Sequence, residues 1–494
     1  MNTLPAAPTD YQHFINGQFT DGHSSERLER HSPGHRDVVV SRYLAGTAAD
    51  AEDAIRAART HFDEGPWPWS KSAERQQVLH RTAELIRRDA DELGLIECLE
   101  SGKPIKQARG EMGAAAAMFD YAAALARHLY GETCNNQGEG FFGMTVREPA
   151  GVVAMITPWN FPLVVLCQKL PFALAAGCTC VIKPSEFTSG TSVRLMSLLK
   201  EAGLPDGACN LVTGHGVPVG EALVTSPKVD MVSFTGSTAV GQRIGSLAGE
   251  GLKKVALELG GKNPQLIFAD TDLDEVVDAV VFGVYFNMGE CCVSGSKILV
   301  EESIADELVA RVTAAAQTVP MGDPLDETVK VGAIINDRQQ EKILGYLEQA
   351  KAEGATVALG GGVHEQGNGR FVQLTILDHV TPEMSVARGE IFGPVLSVLR
   401  FQTEEEAVRL ANDTTYGLSA SIWTKDLDRA LRLSRRVQAG TVWVNTYMQG
   451  AMELPFGGYK QSGIGREFGA EAVLDFTEVK NVSIRLGAYQ KRWL

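Results

Sequence analysis

Two adjacent cysteines close the run Phe286-Asn287-Met288-Gly289-Glu290-Cys291-Cys292. Neighbouring cysteines can scarcely bond to each other without strain, and a thiolate attacks a carbonyl carbon well. Upstream by 292 − 258 = 34 residues, Glu258 opens the glycine-rich stretch Glu258-Leu259-Gly260-Gly261-Lys262-Asn263-Pro264. A carboxylate there can draw a proton from water. Asn160, fixed between two prolines in Pro158-Trp159-Asn160-Phe161-Pro162, offers an amide donor to an oxyanion. Thiol, carboxylate and amide are what acyl-thioester chemistry needs. Each also has a plainer reading. A lone cysteine is usually a small buried apolar residue. A glutamate beside glycines usually sits on the surface, and an asparagine between prolines is often just a turn.

Distant stretches must fold together to join these groups. Residues 46–130 read helical, with Ala51, Ala54, Ile55 and Ala58 on one face and Val78, Leu79, Ala83, Leu85 and Ile86 marking a second run. A β-rich patch at Phe142-Gly143-Met144-Thr145-Val146 follows. Short apolar strands then alternate with helices: 151–156, 180–183, 210–212 and 231–234, with a helix over 188–201. A second series starts near 265–268 and runs through 297–300, 395–398 and 441–444. Short buried strands separated by helices predict parallel sheets. The fold class is α/β, with two doubly wound parallel-sheet domains. The apolar stretch 151–182 is broken by Pro158, Asn160, Pro162, Gln168, Lys169 and Pro171, so it holds no clean span of about 20 residues.

The strand-to-helix junction Phe234-Thr235-Gly236-Ser237-Thr238-Ala239-Val240-Gly241 suits a phosphate. Gly236 allows a tight turn, Ser237 can donate to a phosphate oxygen, and the helix N-terminus favours negative charge. A plain N-cap has the same look. Lys183-Pro184-Ser185-Glu186 follows another strand, and strand C-terminal ends are where doubly wound sheets bind ligands. Lys183 and Glu186 can hold ribose hydroxyls. A carboxylate repels a 2'-phosphate, which favours NAD over NADP. Otherwise the two form a solvated pair.

The 494 residues exceed one hydrophobic core, and the formal charge is −15, from 46 basic and 61 acidic residues. No basic run is present, which argues against nucleic acid and anionic membrane as partners. Eight cysteines are sparse and irregular, unlike a disulfide framework. No histidine spacing suggests a metal, and none flanks the cysteine pair as a thiol hydrolase would need. Met1-Asn2-Thr3-Leu4-Pro5 has neither the charged nor the apolar region of a secretory signal, so a cytoplasmic setting is expected.

In order and spacing, the blocks from Phe14-Ile15-Asn16-Gly17 to Phe456-Gly457-Gly458-Tyr459-Lys460-Gln461-Ser462-Gly463 resemble the aldehyde dehydrogenases, over nearly the whole chain. The resemblance implies an NAD-binding domain at 1–126 and 150–261, a catalytic domain at 262–474, and an oligomerisation arm at 127–149 and 475–494. A homodimer or homotetramer is expected. It implies that Cys292, the second thiol of the pair, attacks the aldehyde. Asn160 and the Cys292 N–H then hold the oxyanion, hydride passes to NAD, and Glu258 activates the water that hydrolyses the thioester. Relatives that pass the acyl group to coenzyme A generally lack this base. Glu290 departs from the Gln of many relatives and is expected to alter the field at the thiol. Lys169 and Glu467 match positions linked to proton movement.

The resemblance places Ile156, Pro158, Trp159, Lys183, Glu186, Gly216, Gly220, Phe234, Gly236, Ser237, Val240, Leu259, Gln339, Glu390 and Phe392 at the cofactor. It places Phe161, Val165, Gln168, Cys291, Val293, Tyr447 and Phe456 around the substrate, with no metal. Most of that pocket is apolar or aromatic, which suits an uncharged aliphatic or aromatic aldehyde. Tyr447 and Trp159 leave a cation cage open, hence a betaine- or amino-aldehyde, with Glu453 helping if it faces inward.

Overall fold

A computed structural model describes residues 3–489, 492 and 493. Met1, Asn2, Gln490, Lys491 and Leu494, at the ends of the expected first domain and arm, lie outside the described residues. The apolar runs form strands buried on both faces, as parallel strands covered by helices must be. Four of them, β1 (Val152–Ile156), β2 (Thr179–Lys183), β3 (Cys209–Leu211) and β4 (Met231–Thr235), lie side by side with β5 (Lys254–Glu258), a partly buried strand that no apolar run anticipated, in the order β5-β4-β1-β2-β3. All four neighbouring pairs are parallel. Antiparallel strands flank them, Gly463–Ile464 beside β5 and His13–Ile15 beside β3. The order reverses between β1 and β4, which opens a crevice at their C-terminal ends.

The second series repeats the design. It comprises β6 (Pro264–Ile267), β7 (Lys297–Glu301), β8 (Thr375–Asp378), β9 (Val395–Phe401), β10 (Ser419–Trp423) and β11 (Thr441–Val444). They lie in the order β8-β9-β7-β6-β10-β11, again parallel, with Thr356–Leu359 antiparallel at the β8 edge. The expected fold class is therefore present, with the same switch of strand order in each sheet.

The helical reading of the first third holds in its core positions. Helix Ala48–Glu64 buries Ala51, Ala54, Ile55 and Ala58, and Thr47 and Asp50 cap its start reciprocally. Helix Ser72–Arg88 buries Leu79, Ala83, Leu85 and Ile86. The helix expected from residue 188 begins at Gly190, because Ser185 O first accepts from Thr188 N (3.1 Å) and Ser189 Oγ (2.8 Å) in a turn. The apolar stretch 151–182 resolves into β1, a loop, the short helices Pro162–Cys167 and Leu170–Ala176, and β2. Among the described residues no helix is long and apolar enough to cross a membrane.

Outside the two main sheets, Phe141–Pro149 pairs antiparallel with Thr477–Arg485 along its whole length, and Thr133–Cys134 adds a third strand. An N-terminal sheet of Thr9–Tyr11, Val39–Leu44 and Arg27–His31 was not anticipated.

Candidate active site

Cys292 follows a left-handed turn. Asn287, Met288 and Gly289 have φ of 51°, 58° and 71°. Asparagine and glycine tolerate that region, whereas Met288 is strained there by about 1–2 kcal/mol. Its side chain is buried in the core around β6 and β7, which offsets the strain. A Cβ on Gly289 would collide with the main chain of Gly393. Beyond the turn, the loop is pinned at three points. Asn263 Nδ2 donates to Cys292 O and to Ser294 O, each at 2.9 Å. Tyr447 OH donates to Val293 O at 2.7 Å. Asn263 Oδ1 in turn accepts from Ser419 N at 3.1 Å, which ties the loop to β10.

Cys291 is buried and Cys292 half-buried. The Cys291 sulfur, together with burial, pushes the Cys292 thiol well above its ordinary pKa. The resting thiol is thus protonated and must lose its proton before it attacks.

Glu258, the last residue of β5, is 5% exposed. Neither carboxyl oxygen has a hydrogen-bond partner among the described residues. Burial foremost, then the Glu467 charge and the Cys292 sulfur, push its pKa well above the carboxylate range, while Lys169 pulls the other way. Such a group holds a proton readily and releases it to no internal acceptor. Gly457 leaves room for it, since a Cβ there would stand 2.9 Å from Glu258 Oε1. Lys169 and Glu467 form a buried ion pair. Glu467 and Phe456 exchange backbone hydrogen bonds at 2.6 and 2.7 Å, so this pair is fixed to the wall of the expected substrate pocket.

Asn160, 5% exposed, lies in the loop after β1. Its Nδ2 donates to Glu290 O at 3.1 Å, which joins it to the residue before the cysteine pair. The Glu290 carboxyl points elsewhere: Oε1 accepts from Ile335 N at 3.1 Å, and burial favours its protonated form. The acid thereby stands in for a neutral amide.

Phe161 stacks on Phe286 with centroids 6.0 Å apart, and Val165 and Gln168 lie on and just after helix Pro162–Cys167. Tyr447 packs against Trp443 at 5.0 Å, its hydroxyl already committed to Val293. Trp159 packs edge-on against Phe392, at 5.4 Å and 90°.

At the crevice, Lys183 Nζ lies 3.6 Å from Glu186 Oε2 and donates to Pro184 O at 2.9 Å. A Cβ on Gly220 would stand in ordinary contact with Ile156 (3.7 Å) and Lys183 (3.8 Å). Gly216, at the start of the same turn, is open on its Cβ side. Ser237 is the N-cap of helix Thr238–Glu250, makes no capping bond with its side chain, and is exposed, as is Val240. Gly236 differs from expectation in its reason: its backbone is not left-handed, and a Cβ there would strike the Phe234 ring. Leu259 packs where a Cβ on Gly241 would fall. Glu390 Oε1 accepts from Gly261 N at 3.0 Å, and Gln339 Nε2 donates to Phe392 O at 2.7 Å. A lysine–carboxylate pair, an uncapped helix N-terminus and a second carboxylate across the crevice fit the hydroxyls and phosphates of a dinucleotide. Among the described residues no cluster of side chains fits a metal ion.

The sequence profile of the aldehyde dehydrogenase family matches residues 19–482. Aldehyde dehydrogenase family 2 member C4 of Arabidopsis thaliana is 42% identical over 475 residues, 96% of this chain and 94% of that protein. The crystal structure of an NAD-dependent aldehyde dehydrogenase from Sinorhizobium meliloti superposes with a TM-score of 0.97 at 48% identity, over 98% of this chain and 97% of that one. That of a P. syringae indole-3-acetaldehyde dehydrogenase mutant with NAD+ does so with a TM-score of 0.95 at 40% identity, over 97% and 98%. A likeness that runs this evenly from end to end leaves one assignment: the chain belongs to the aldehyde dehydrogenase family.

Proposed function

We propose that this chain oxidises an uncharged aliphatic or aromatic aldehyde to its carboxylic acid with NAD, through a thioester on Cys292. The observation that carries this reading is Glu258: a buried carboxyl with no hydrogen-bond partner, close enough to Cys292 for the sulfur to raise its pKa. The Cys292 thiol loses its proton to solvent, and the thiolate attacks the aldehyde carbon. The Asn160 amide and the Cys292 N–H hold the resulting oxyanion. Bound NAD supplies the hydride acceptor, and the loss of hydride leaves the thioester. Glu258 next takes a proton from water, the hydroxide adds to the carbonyl, and the C–S bond breaks to release the acid. Lys183, Glu186 and Ser237 hold the cofactor within a domain of residues 1–126 and 150–261, and Glu390 meets it from the other domain. Residues 262–474 carry the thiol.

The apolar and aromatic character of Phe161, Val165, Val293, Tyr447 and Phe456 supports an uncharged substrate. So does Trp159, which packs on Phe392 rather than completing a cation cage with Tyr447. The P. syringae protein's name points the same way. A betaine- or amino-aldehyde of the same mechanism is the competing reading. The arm, 127–149 and 475–494, joins subunits into a dimer or tetramer, and eight free cysteines suit a reducing cytoplasm.

A panel of aldehydes assayed for NADH formation, with NAD and NADP in parallel, tests substrate and cofactor. Higher kcat/KM for a quaternary ammonium aldehyde than for apolar ones would overturn the substrate class. Cys292→Ala should abolish NADH formation while Cys291→Ala keeps much of it, and equal loss in both would undo the choice of nucleophile. Glu258→Gln should give one equivalent of NADH and then stall at the thioester. Unchanged steady turnover would remove Glu258 from its role.

A further inference from the structure

Behind Asn160 lies a buried polar chain that none of these steps uses. Lys103, 0% exposed, places Nζ 2.8 Å from Glu97 Oε1 and 2.5 Å from Glu111 Oε2. Both carboxylates continue outward. Glu97 Oε2 accepts from Leu163 N at 3.3 Å, in the turn just after Asn160. Glu111 Oε1 accepts from Gln107 Nε2 at 2.8 Å. The other hydrogen of that Gln107 amide goes to Asn287 Oδ1 at 2.9 Å. Asn287 Nδ2 then donates to Asn160 O at 3.1 Å and to Glu290 O at 2.9 Å. Glu290 O is also the acceptor for Asn160 Nδ2.

Asn160 is thus held at its main chain and at its side chain by one partner set. A single hydrogen of its amide is engaged by Glu290 O, which leaves the second for an oxyanion. We propose that Gln107 is a positioning residue for the Asn160 amide, acting through Asn287 from the Lys103–Glu97–Glu111 set. The inference rests on Asn160 being the oxyanion donor. Buried ion sets seldom stabilise a fold more than well-packed apolar side chains would, because desolvation cancels the attraction. One that reaches the loop of the oxyanion donor from two directions has a geometric task instead. Gln107 is the link, since it has both amide hydrogens committed, one to each side.

The test is the single-turnover burst of NADH with a simple aldehyde, compared with alkylation of Cys292 by iodoacetamide, which forms no oxyanion. Gln107→Met keeps the length and removes the donor; Gln107→Leu, run in parallel, removes the donor with a shorter, branched side chain. Either should slow the burst about tenfold, as a displaced catalytic group does. The alkylation rate and the NAD dissociation constant should hold. Asn160→Ala should slow the burst about 100-fold, and adding Gln107→Met to it should cost nothing more. An unchanged burst in Asn160→Ala would overturn the oxyanion reading, and this inference with it. A slow Asn160→Ala beside wild-type bursts in both Gln107 variants would overturn the inference alone. So would a Gln107→Met loss that persists in the Asn160→Ala background.

Discussion

A buried carboxyl that accepts no hydrogen bond answers to burial and to charge, and at Glu258 the nearest charges are opposed. Glu467 raises its proton affinity and Lys169 lowers it. Hydrolysis of the thioester requires Glu258 in its deprotonated form, so the hydrolytic rate rises with pH through the Glu258 pKa. That pKa lies well above the usual carboxylate range. Glu467→Gln removes a raising charge and leaves Lys169 without its partner, and both changes push the pKa down. The midpoint of the deacylation rate against pH should therefore move to lower pH in Glu467→Gln. A pre-steady-state pH profile measures it. A midpoint moved upward, or not at all, would show that Glu467 does not act on Glu258 through its charge. At this scale the sequence singled out the thiol, the acid and the amide by their chemistry, each beside a plainer reading. Gln107, Asn263 and Asn287 escaped notice because a glutamine on a helix reads as a solvated side chain, and an asparagine in a loop reads as a turn. Their acceptors are backbone carbonyls and side chains far along the chain, at Cys292, Asn160 and Asn287. No local pattern signals them. For Asn263 the one available hint was its place in the stretch that follows Glu258.

The elements matter through the ends they present. Strands β1, β4 and β5 end at Ile156, Thr235 and Glu258, and their termini set the loops that carry Asn160, Ser237 and the base. Strands β1 and β4 were legible because they are short and apolar on both faces, whereas β5, a Lys-Val-Ala-Leu-Glu strand half-buried over its first three residues, was not anticipated. The N-terminal sheet was not, since Arg27–His31 is an edge strand of mostly polar residues with no apolar alternation. The turn before the cysteine pair is the element on which the nucleophile depends most directly. Three successive left-handed residues are tolerated only because the first is Asn and the third Gly. Gly289→Ala brings a side chain to φ 71° and drives its Cβ into the Gly393 main chain. The conformational part alone is about 1–2 kcal/mol, and the collision adds to it. The variant should unfold several degrees lower by calorimetry and lose most of its NADH burst. Unaltered melting and burst would mean that the turn can re-form around a methyl group.

Over the whole molecule, the formal charge of −15 keeps copies apart in solution, so any association needs a local driving force. The proposed arm has an open edge that could act in this way. Strand Thr477–Arg485 pairs on one side with Phe141–Pro149, and among the described residues its other edge is unpaired for nine residues. Val479 is 57% exposed and Ile484 38%, and the two point to opposite faces of the strand, so apolar surface is open on both sides. An edge of this length with apolar residues invites another chain to pair with it. If subunits join here, a charge on each face should oppose assembly without touching the thiol, the acid or the amide. Val479→Lys with Ile484→Lys should sediment as a smaller species than the parent at equal concentration, and its melting should depend less on dilution than the parent's. A particle of unchanged mass would place the subunit contact elsewhere on the surface and leave the arm as a strand pair serving its own fold.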